Sequence, residues 1–216
     1  MTMPMFERAL EWVVALNGRF LPDKPLYVDP ATGEAILDPG ETNPMMAELS
    51  LTGIGEALLH PLFPDMLAMA RDALGPHAPL VFSTNGILLT DQYAERIAPY
   101  QPLVYVSLHR PEKAGHAIEA AKRHGILAGY NPSPATSAMD WAGQVDWFVS
   151  HDPAPCEFLR SGWGVVLVDG RITTCCLDAS ALGVVGHVDD EIGSANIKPF
   201  SLCSTCSYTV PTELAA

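Results

Sequence analysis

From Ala47 onward the chain repeats one unit. A short apolar run is followed by a loop of glycine and small polar residues, and then by an amphipathic stretch. The apolar runs are Ala47–Leu51, Pro79–Phe82, Leu103–Leu108, Ile126–Tyr130 and Val145–Val149, roughly 22–28 residues apart. Between them, residues 62–74, 90–98 and 111–124 carry apolar side chains at helical spacing, and Thr90 is a cap for the second of these. Such alternation makes right-handed βαβ units on a parallel sheet. Five strands in one uninterrupted series predict an α/β fold, a barrel or partial (β/α) barrel. Its site is expected at the carboxyl ends of the strands.

The flanking regions do not follow this rhythm. Residues 4–17 predict a helix, with Pro4 in the first turn and Phe6, Leu10, Val13 and Val14 on one face. Residues 19–46 hold five prolines and admit at most a small hairpin, Leu26–Val28 with Glu34–Leu37. A loop over a site would read this way, but an ordinary surface insertion is the commoner source of such a stretch. After Asp152-Pro-Ala-Pro155 the style changes again. Trp163–Val168 and Arg171–Cys175 predict a β-hairpin, with Asp169-Gly170 as a two-residue type I′ turn. The tail from Asp178 to Ala216 reads as irregular. The expected organisation is a β/α domain over 1–152 and a small cysteine module over 153–216.

The chain has 25 acidic and 12 basic residues, a formal charge of −13. That balance opposes phosphate-backbone binding, so nucleic acid is excluded as an expected partner. No apolar run reaches the ~18 residues of a membrane span. Glu7, Arg8 and Glu11 interrupt what would be the core of an export signal. The expected compartment is the cytoplasm, where thiols stay reduced.

All five cysteines fall within residues 156–206. Cys156, Cys175, Cys203 and Cys206 make a complete tetrathiolate. Pairing across Asp169-Gly170 sets Cys175 opposite Gly164, and neighbours in a strand point to opposite faces, which leaves Cys176 spare unless the hairpin ends early. Four such thiolates suit zinc and an iron–sulfur cluster equally on spacing alone. A disulfide framework fits poorly with an odd cysteine count.

The spacing C-x13-G-x4-C, followed at a distance by C-x2-C, resembles the auxiliary-cluster module of radical SAM enzymes. That module is twitch, the short form of the SPASM domain. Cys156, Gly170, Cys175, Cys203 and Cys206 match it position by position, and Cys175-Cys176-Leu177-Asp178 and Gly186-His187-Val188-Asp189 are similar to such domains. The resemblance implies a [4Fe-4S] cluster on Cys156, Cys175, Cys203 and Cys206, with zinc as the alternative metal. Upstream, Thr52-Gly53-Ile54-Gly55-Glu56 resembles the Gly-Glu motif whose backbone and carboxylate bind the amino group of S-adenosyl-L-methionine (SAM) in that family. Ser83-Thr84-Asn85-Gly86 resembles the motif ending the next strand, and Ser107 ends the strand after it. The resemblance therefore implies SAM contacts from Gly53, Gly55, Glu56, Ser83, Asn85 and Ser107. It also implies hydrogen-atom abstraction from a peptide or small-molecule substrate, with a redox partner as a further candidate. The expected architecture becomes a partial barrel of the radical SAM type with a small C-terminal cysteine-rich hairpin module.

Two departures stand against this. The family's C-x3-C-x2-C is absent, because no cysteine precedes Cys156, and Ala57 stands where a proline is usual. The expectation is a sequence that begins after the first strand and its cysteine triad; a natural remnant without radical chemistry is the other explanation. As it stands, the chain alone should not cleave SAM. Two other functions compete: a non-catalytic iron–sulfur or zinc protein serving electron transfer or as a scaffold, and a β/α barrel acting on a phosphorylated sugar. Asn131-Pro132-Ser133-Pro134 faintly suggests the latter, without the catalytic aspartates or histidines it needs. Asn131 and Ser133 are candidates for a ligand contact at the strand mouth. His109 is more simply a surface histidine, and Trp141, Trp147 and Phe148 are more simply core aromatics.

Overall fold

The computed structural model describes residues 1–17, 27–28, 35–36, 49–52, 55–76, 78–108, 111–131, 156, 164–178, 180–196 and 198–206. Contacts divide the chain into two units. One holds residues 13–137; the other joins residues 1–12 to 138–216.

The C-terminal unit begins with the first residues of α1 (Met3–Asn17). Phe6 and Leu10 of the predicted face are buried, but Val14 is exposed, and Ala9 and Trp12 complete the buried stripe instead. Ala9 and Trp12 pack into a core with Ile172 and Val188, and the Trp12 indole N–H donates to the Val188 carbonyl at 2.9 Å. That bond satisfies the one polar atom of a buried tryptophan. The helix start was expected with the β/α region; its packing partners are residues of the cysteine module.

In the other unit, β1 (Tyr27–Val28) and β2 (Ala35–Ile36) pair antiparallel, at the place of the small predicted hairpin. The main sheet comes next: β3 (Leu49–Ser50), α2 (Phe63–Leu74), β4 (Leu80–Thr84), α3 (Asp91–Ile97), β5 (Leu103–Ser107), α4 (Pro111–Arg123) and β6 (Leu127–Asn131). The four strands are parallel and adjacent in chain order, β3-β4-β5-β6. The expected strand at 145–149 lies outside the described residues.

Local chemistry sets these boundaries. Pro64 opens α2 and Gly75 closes it at φ +86°. The Thr90 side chain accepts the Tyr93 N–H at the start of α3. Alternation then builds the core: Leu80 and Phe82 of β4 and Val104 and Val106 of β5 are fully buried, each worth roughly 1.5–3 kcal/mol. Phe82 meets Phe63 of α2 edge to face, with ring centres 5.0 Å apart. On α4, Ala114, Ala117 and Ala121 are fully buried, and these small side chains let the helix lie close to the sheet. The approach is tight enough that a Cβ on Gly86 would sit 2.9 Å from that of Ala117. At the amino end of the sheet, the Arg71 guanidinium donates to the carbonyls of Gly75, Ala78, Tyr100 and Gln101 at 2.7–3.3 Å. One cation thereby closes the loops entering β4 and β5.

The C-terminal unit has an antiparallel sheet of β7 (Val165–Val166), β8 (Arg171–Thr173) and β9 (Val184–His187), in that order. Two expectations are corrected here. The turn is a three-residue loop: Leu167 N–H donates to Arg171 O at 2.8 Å, and Gly170 N–H donates back to Leu167 O at 3.0 Å. Only Gly170 in it has positive φ (+86°), whereas a type I′ turn needs it at Asp169 too. The register shifts by one residue, pairing Val165 with Thr173, and β8 ends before Cys175. The tail is also not irregular throughout, since β9 extends the hairpin and Ser201–Ser204 forms a 3-10 turn.

Gly170 has a second constraint. A Cβ there would lie 2.6 Å from Nε2 of His187, whose ring contacts the Asp169 carbonyl at 3.0 Å through that nitrogen. Nδ1 lies 3.2 Å from both the Asp189 N–H and the Asp189 carboxylate Oδ2. The Gly-His-Val-Asp segment thus packs β9 onto the turn.

Candidate functional site

The carboxyl ends of β3–β6 gather the polar residues of the β/α unit. The loop after β3 reaches Gly55, whose φ of +145° is open only to glycine and whose Cβ position faces open space. Glu56 follows and caps the 3-10 turn Ala57–Leu59. Its Oε1 accepts the Leu58 N–H at 3.2 Å and the Thr84 hydroxyl at 2.8 Å; its Oε2 accepts the Asn85 N–H at 2.8 Å. The carboxylate ties the end of β3 to the end of β4. A carboxylate has about four acceptor positions, and three are filled here. On α3, burial raises the Tyr93 phenol above its ordinary range; the Glu56 charge adds to this and Arg96 opposes it.

Thr84 is itself fully committed. It is buried, donates to Glu56, and its oxygen accepts the Gly86 N–H at 3.0 Å. The Asn85 side-chain oxygen accepts the Ile87 N–H at 2.9 Å, which leaves its amide NH₂ and one oxygen lone pair for a ligand. On the opposite face of β4, Ser83 takes a hydrogen bond on its hydroxyl from Asn131 Nδ2 at 2.9 Å, while its backbone N–H donates to the Thr52 hydroxyl at 3.0 Å. Ser107 pairs with Asn131 in the β5–β6 register, so alternation puts Ser83, Ser107 and Asn131 on one face of the sheet, all half-buried. The structure thus brings Gly55, Glu56, Ser83, Asn85 and Ser107 to one strand-end rim. Gly53, His109 and Ser133 lie outside the described residues.

Sequence reasoning missed the role of Thr84. The available signal was alternation: position 84 falls on the core face with Leu80 and Phe82, where a buried hydroxyl needs a partner. Glu56, one strand over, was the nearest acceptor in kind.

In the other unit, none of the five cysteines is disulfide-bonded. Cys203 and Cys206 are buried; Cys156 and Cys175 are half-buried; Cys176 is exposed. Cys175 and Cys206 pack with Leu177, Leu202 and Phe200, and the Leu177 N–H reaches Cys175 Sγ at 3.4 Å. A hydrogen bond between the neighbouring thiols raises Cys175, with burial adding to it, and lowers Cys176 to about 7. Burial raises Cys203, and the charges of Cys156, Cys175 and Asp178 raise it further. Soft thiols, two of them buried among apolar side chains, are a donor set that fits an iron–sulfur cluster chemically. No three histidine, cysteine, aspartate or glutamate side chains among the described residues are arranged to hold a metal ion. Asp178 fixes the loop after Cys175: it is buried and accepts the Thr173 hydroxyl (2.9 Å), Leu182 N–H (2.9 Å) and Gly183 N–H (2.8 Å).

In open α/β sheets ligands bind outside the carboxyl ends of the strands, the end at which this sheet carries its polar rim. No protein-family model and no curated protein matches the sequence. Solved structures do resemble it. BtrN in complex with AdoMet and 2-DOIA superposes with a TM-score of 0.62 at 16% identity, over 89% of this chain and 67% of BtrN. Native anSMEcpe with bound AdoMet and the Kp18Cys peptide gives 0.52 at 13% identity, over 95% of this chain and 72% of that one. BtrN in an open conformation gives 0.54 at 17% identity, and the chain covers 65% of its length. The chain therefore shares the α/β fold of these structures and spans about two thirds of the length of BtrN. No described helix is long and apolar enough to cross a membrane.

Proposed function

We propose that this chain is a radical SAM-type protein that binds SAM at the carboxyl ends of β3–β6 and carries an auxiliary [4Fe-4S] cluster on Cys156, Cys175, Cys203 and Cys206. The observation that carries the reading is the clamped carboxylate of Glu56. Three protein donors fix its position, and its remaining acceptor capacity suits the ammonium of an amino acid moiety. Gly53 and Gly55 let the backbone come close to that moiety. Ser83, Asn85 and Ser107 supply polar contacts from the neighbouring strand ends, and Asn131 orients the Ser83 hydroxyl.

In the radical SAM family, SAM and a reduced cluster together supply hydrogen-atom abstraction. This sequence has no cysteine before Cys156, so that step needs three thiolates from outside these 216 residues. What the chain's own residues would do is hold SAM and hold the second cluster, which when bound would supply electron transfer to a redox partner or anchor the module. The substrate class is a small molecule or a peptide, as in the neighbours crystallised with 2-DOIA and with a peptide.

The test is calorimetry with SAM on anaerobically purified chain, alongside iron, sulfide and zinc analysis. SAM binding that weakens about tenfold or more in Glu56→Gln, with about four irons per chain that are lost in Cys203→Ala/Cys206→Ala, is expected. No SAM binding removes the strand-end reading. One zinc with no iron replaces the cluster with a structural metal and turns the protein into a non-catalytic zinc module.

A further inference from the structure

Among the described residues, one buried side-chain polar atom has no hydrogen-bond partner: Oγ1 of Thr174. The residue is 1% exposed and stands immediately before Cys175. Leaving a buried hydroxyl unpaired costs about 1–3 kcal/mol, and native proteins rarely do so without a reason such as a bound group. Neighbouring hydroxyls in the same unit are committed. Thr173 donates to Asp178, Ser204 to the Ser201 carbonyl, and Thr205 to the Leu202 carbonyl. The Asp178 carboxylate, the nearest charged acceptor in sequence, accepts from Thr173, Leu182 and Gly183 and takes no hydrogen bond from Thr174. β8 ends at Thr173, and Thr174 stands in a bend between the strand and Cys175, outside the strand's alternation. Cys175 itself enters a sulfur-rich, apolar cluster with Cys206, Leu177, Leu202 and Phe200.

We propose that Thr174 is a positioning residue for the auxiliary cluster: its hydroxyl donates to an inorganic sulfide of that cluster. This rests on the cluster reading given under the proposed function. Adding an electron makes the cluster's sulfurs more negative, so a donor to sulfur stabilises the reduced state more than the oxidised one and raises the potential. A hydroxyl that meets nothing in the protein is then complementary to an acceptor the protein does not itself contain.

The experiment compares wild type, Thr174→Val and Thr174→Ser as anaerobically reconstituted full-length chains. Valine keeps the shape and removes the donor; serine keeps the donor. Iron and sulfide content are measured first, then the midpoint potential by a redox titration followed by electron paramagnetic resonance. The expected result is equal iron and sulfide in all three, a lower potential in Thr174→Val, and a wild-type potential in Thr174→Ser. A wild-type potential in Thr174→Val overturns the proposal. A higher melting temperature of the cluster-free valine variant would then mark the hydroxyl as an unsatisfied core group. Should the valine variant fail to load iron, Thr174→Ala is titrated in its place, and an unchanged potential there overturns the proposal equally. A wild-type chain that takes up no iron and sulfide is a different outcome: it removes the cluster itself, and this hydrogen bond with it.

Discussion

Glu56→Gln isolates what the clamped carboxylate does for the fold. The carboxylate accepts from two directions: Thr84 Oγ–H and Leu58 N–H on Oε1, and Asn85 N–H on Oε2. A carboxamide has one oxygen. With that oxygen toward Thr84 and Leu58, its NH₂ faces the Asn85 N–H, donor against donor. With the amide flipped, two donors lose their acceptor and one is regained, which is worse. The first arrangement loses one charge-assisted bond of about 1.5–3 kcal/mol and turns two others from charged to neutral. Asn85 is exposed, so water returns part of the loss. The expected cost is about 2 kcal/mol, or a fall in melting temperature of roughly 4–8 °C for a chain of this size. Circular dichroism melts of wild type, Glu56→Gln, Thr84→Val and the double variant form a cycle, with an expected coupling of about 1–2 kcal/mol because the two side chains share a bond. A Glu56→Gln variant that melts with wild type, or single-variant costs that simply add, would refute the clamp.

Three further changes test other parts of the structure. Arg71→Met removes every donor to the carbonyls of Gly75, Ala78, Tyr100 and Gln101, and should destabilise by about 3 kcal/mol in chemical denaturation; a cost under ~1 kcal/mol would mean water replaces the guanidinium freely. Gly170→Ala places a Cβ at positive φ and 2.6 Å from His187 Nε2, so it should cost about 2–3 kcal/mol; hydrogen exchange should open the β8–β9 amides first, and unchanged protection there would contradict the packing. In the cluster-free chain, Cys176 sits below the ordinary thiol range, at about 7, because the Cys175 thiol donates to it. It is a thiolate above that value, so its alkylation rate should rise through pH 7 and level off, and Cys175→Ala should move the midpoint upward; a midpoint already in the ordinary thiol range would remove that hydrogen bond.

The β/α unit was legible because its signals are local. Runs of Val, Leu, Ile and Phe alternating with capped amphipathic stretches specify β4–α3–β5–α4–β6 within a residue or two, and Thr90 caps where its side chain predicts. The corrected features depend on contacts far along the chain. Asp-Gly on its own favours a two-residue turn. Here Gly170 takes the positive-φ place after a turn that begins at Leu167, and the His187 ring, 17 residues on, lies against it. β9 has only four residues, one of them Gly186, and is defined by pairing with β8. Glu56 was legible as a candidate ligand group; its engagement by Thr84 and Asn85 was not, since nothing near Glu56 in sequence names the strand it bonds to.

The same chemistry appears in both units and separates a strut from a site. Glu56 and Asp178 each accept one threonine hydroxyl and two backbone amides, and each fixes a loop at a strand end. Asp178 is 3% exposed, so any cation brought to it would have to shed its water without replacing it. Its work is complete in holding the turn that carries Cys175. Glu56 is only half-buried and stands beside Gly55, where a Cβ would meet no atom within 4 Å. There a ligand can reach the unfilled acceptor position while the clamp holds the carboxylate still. Equal hydrogen bonding therefore yields unequal capacity: exposure, together with the open space at Gly55, leaves one carboxylate open to the proposed ligand and the other a fastening.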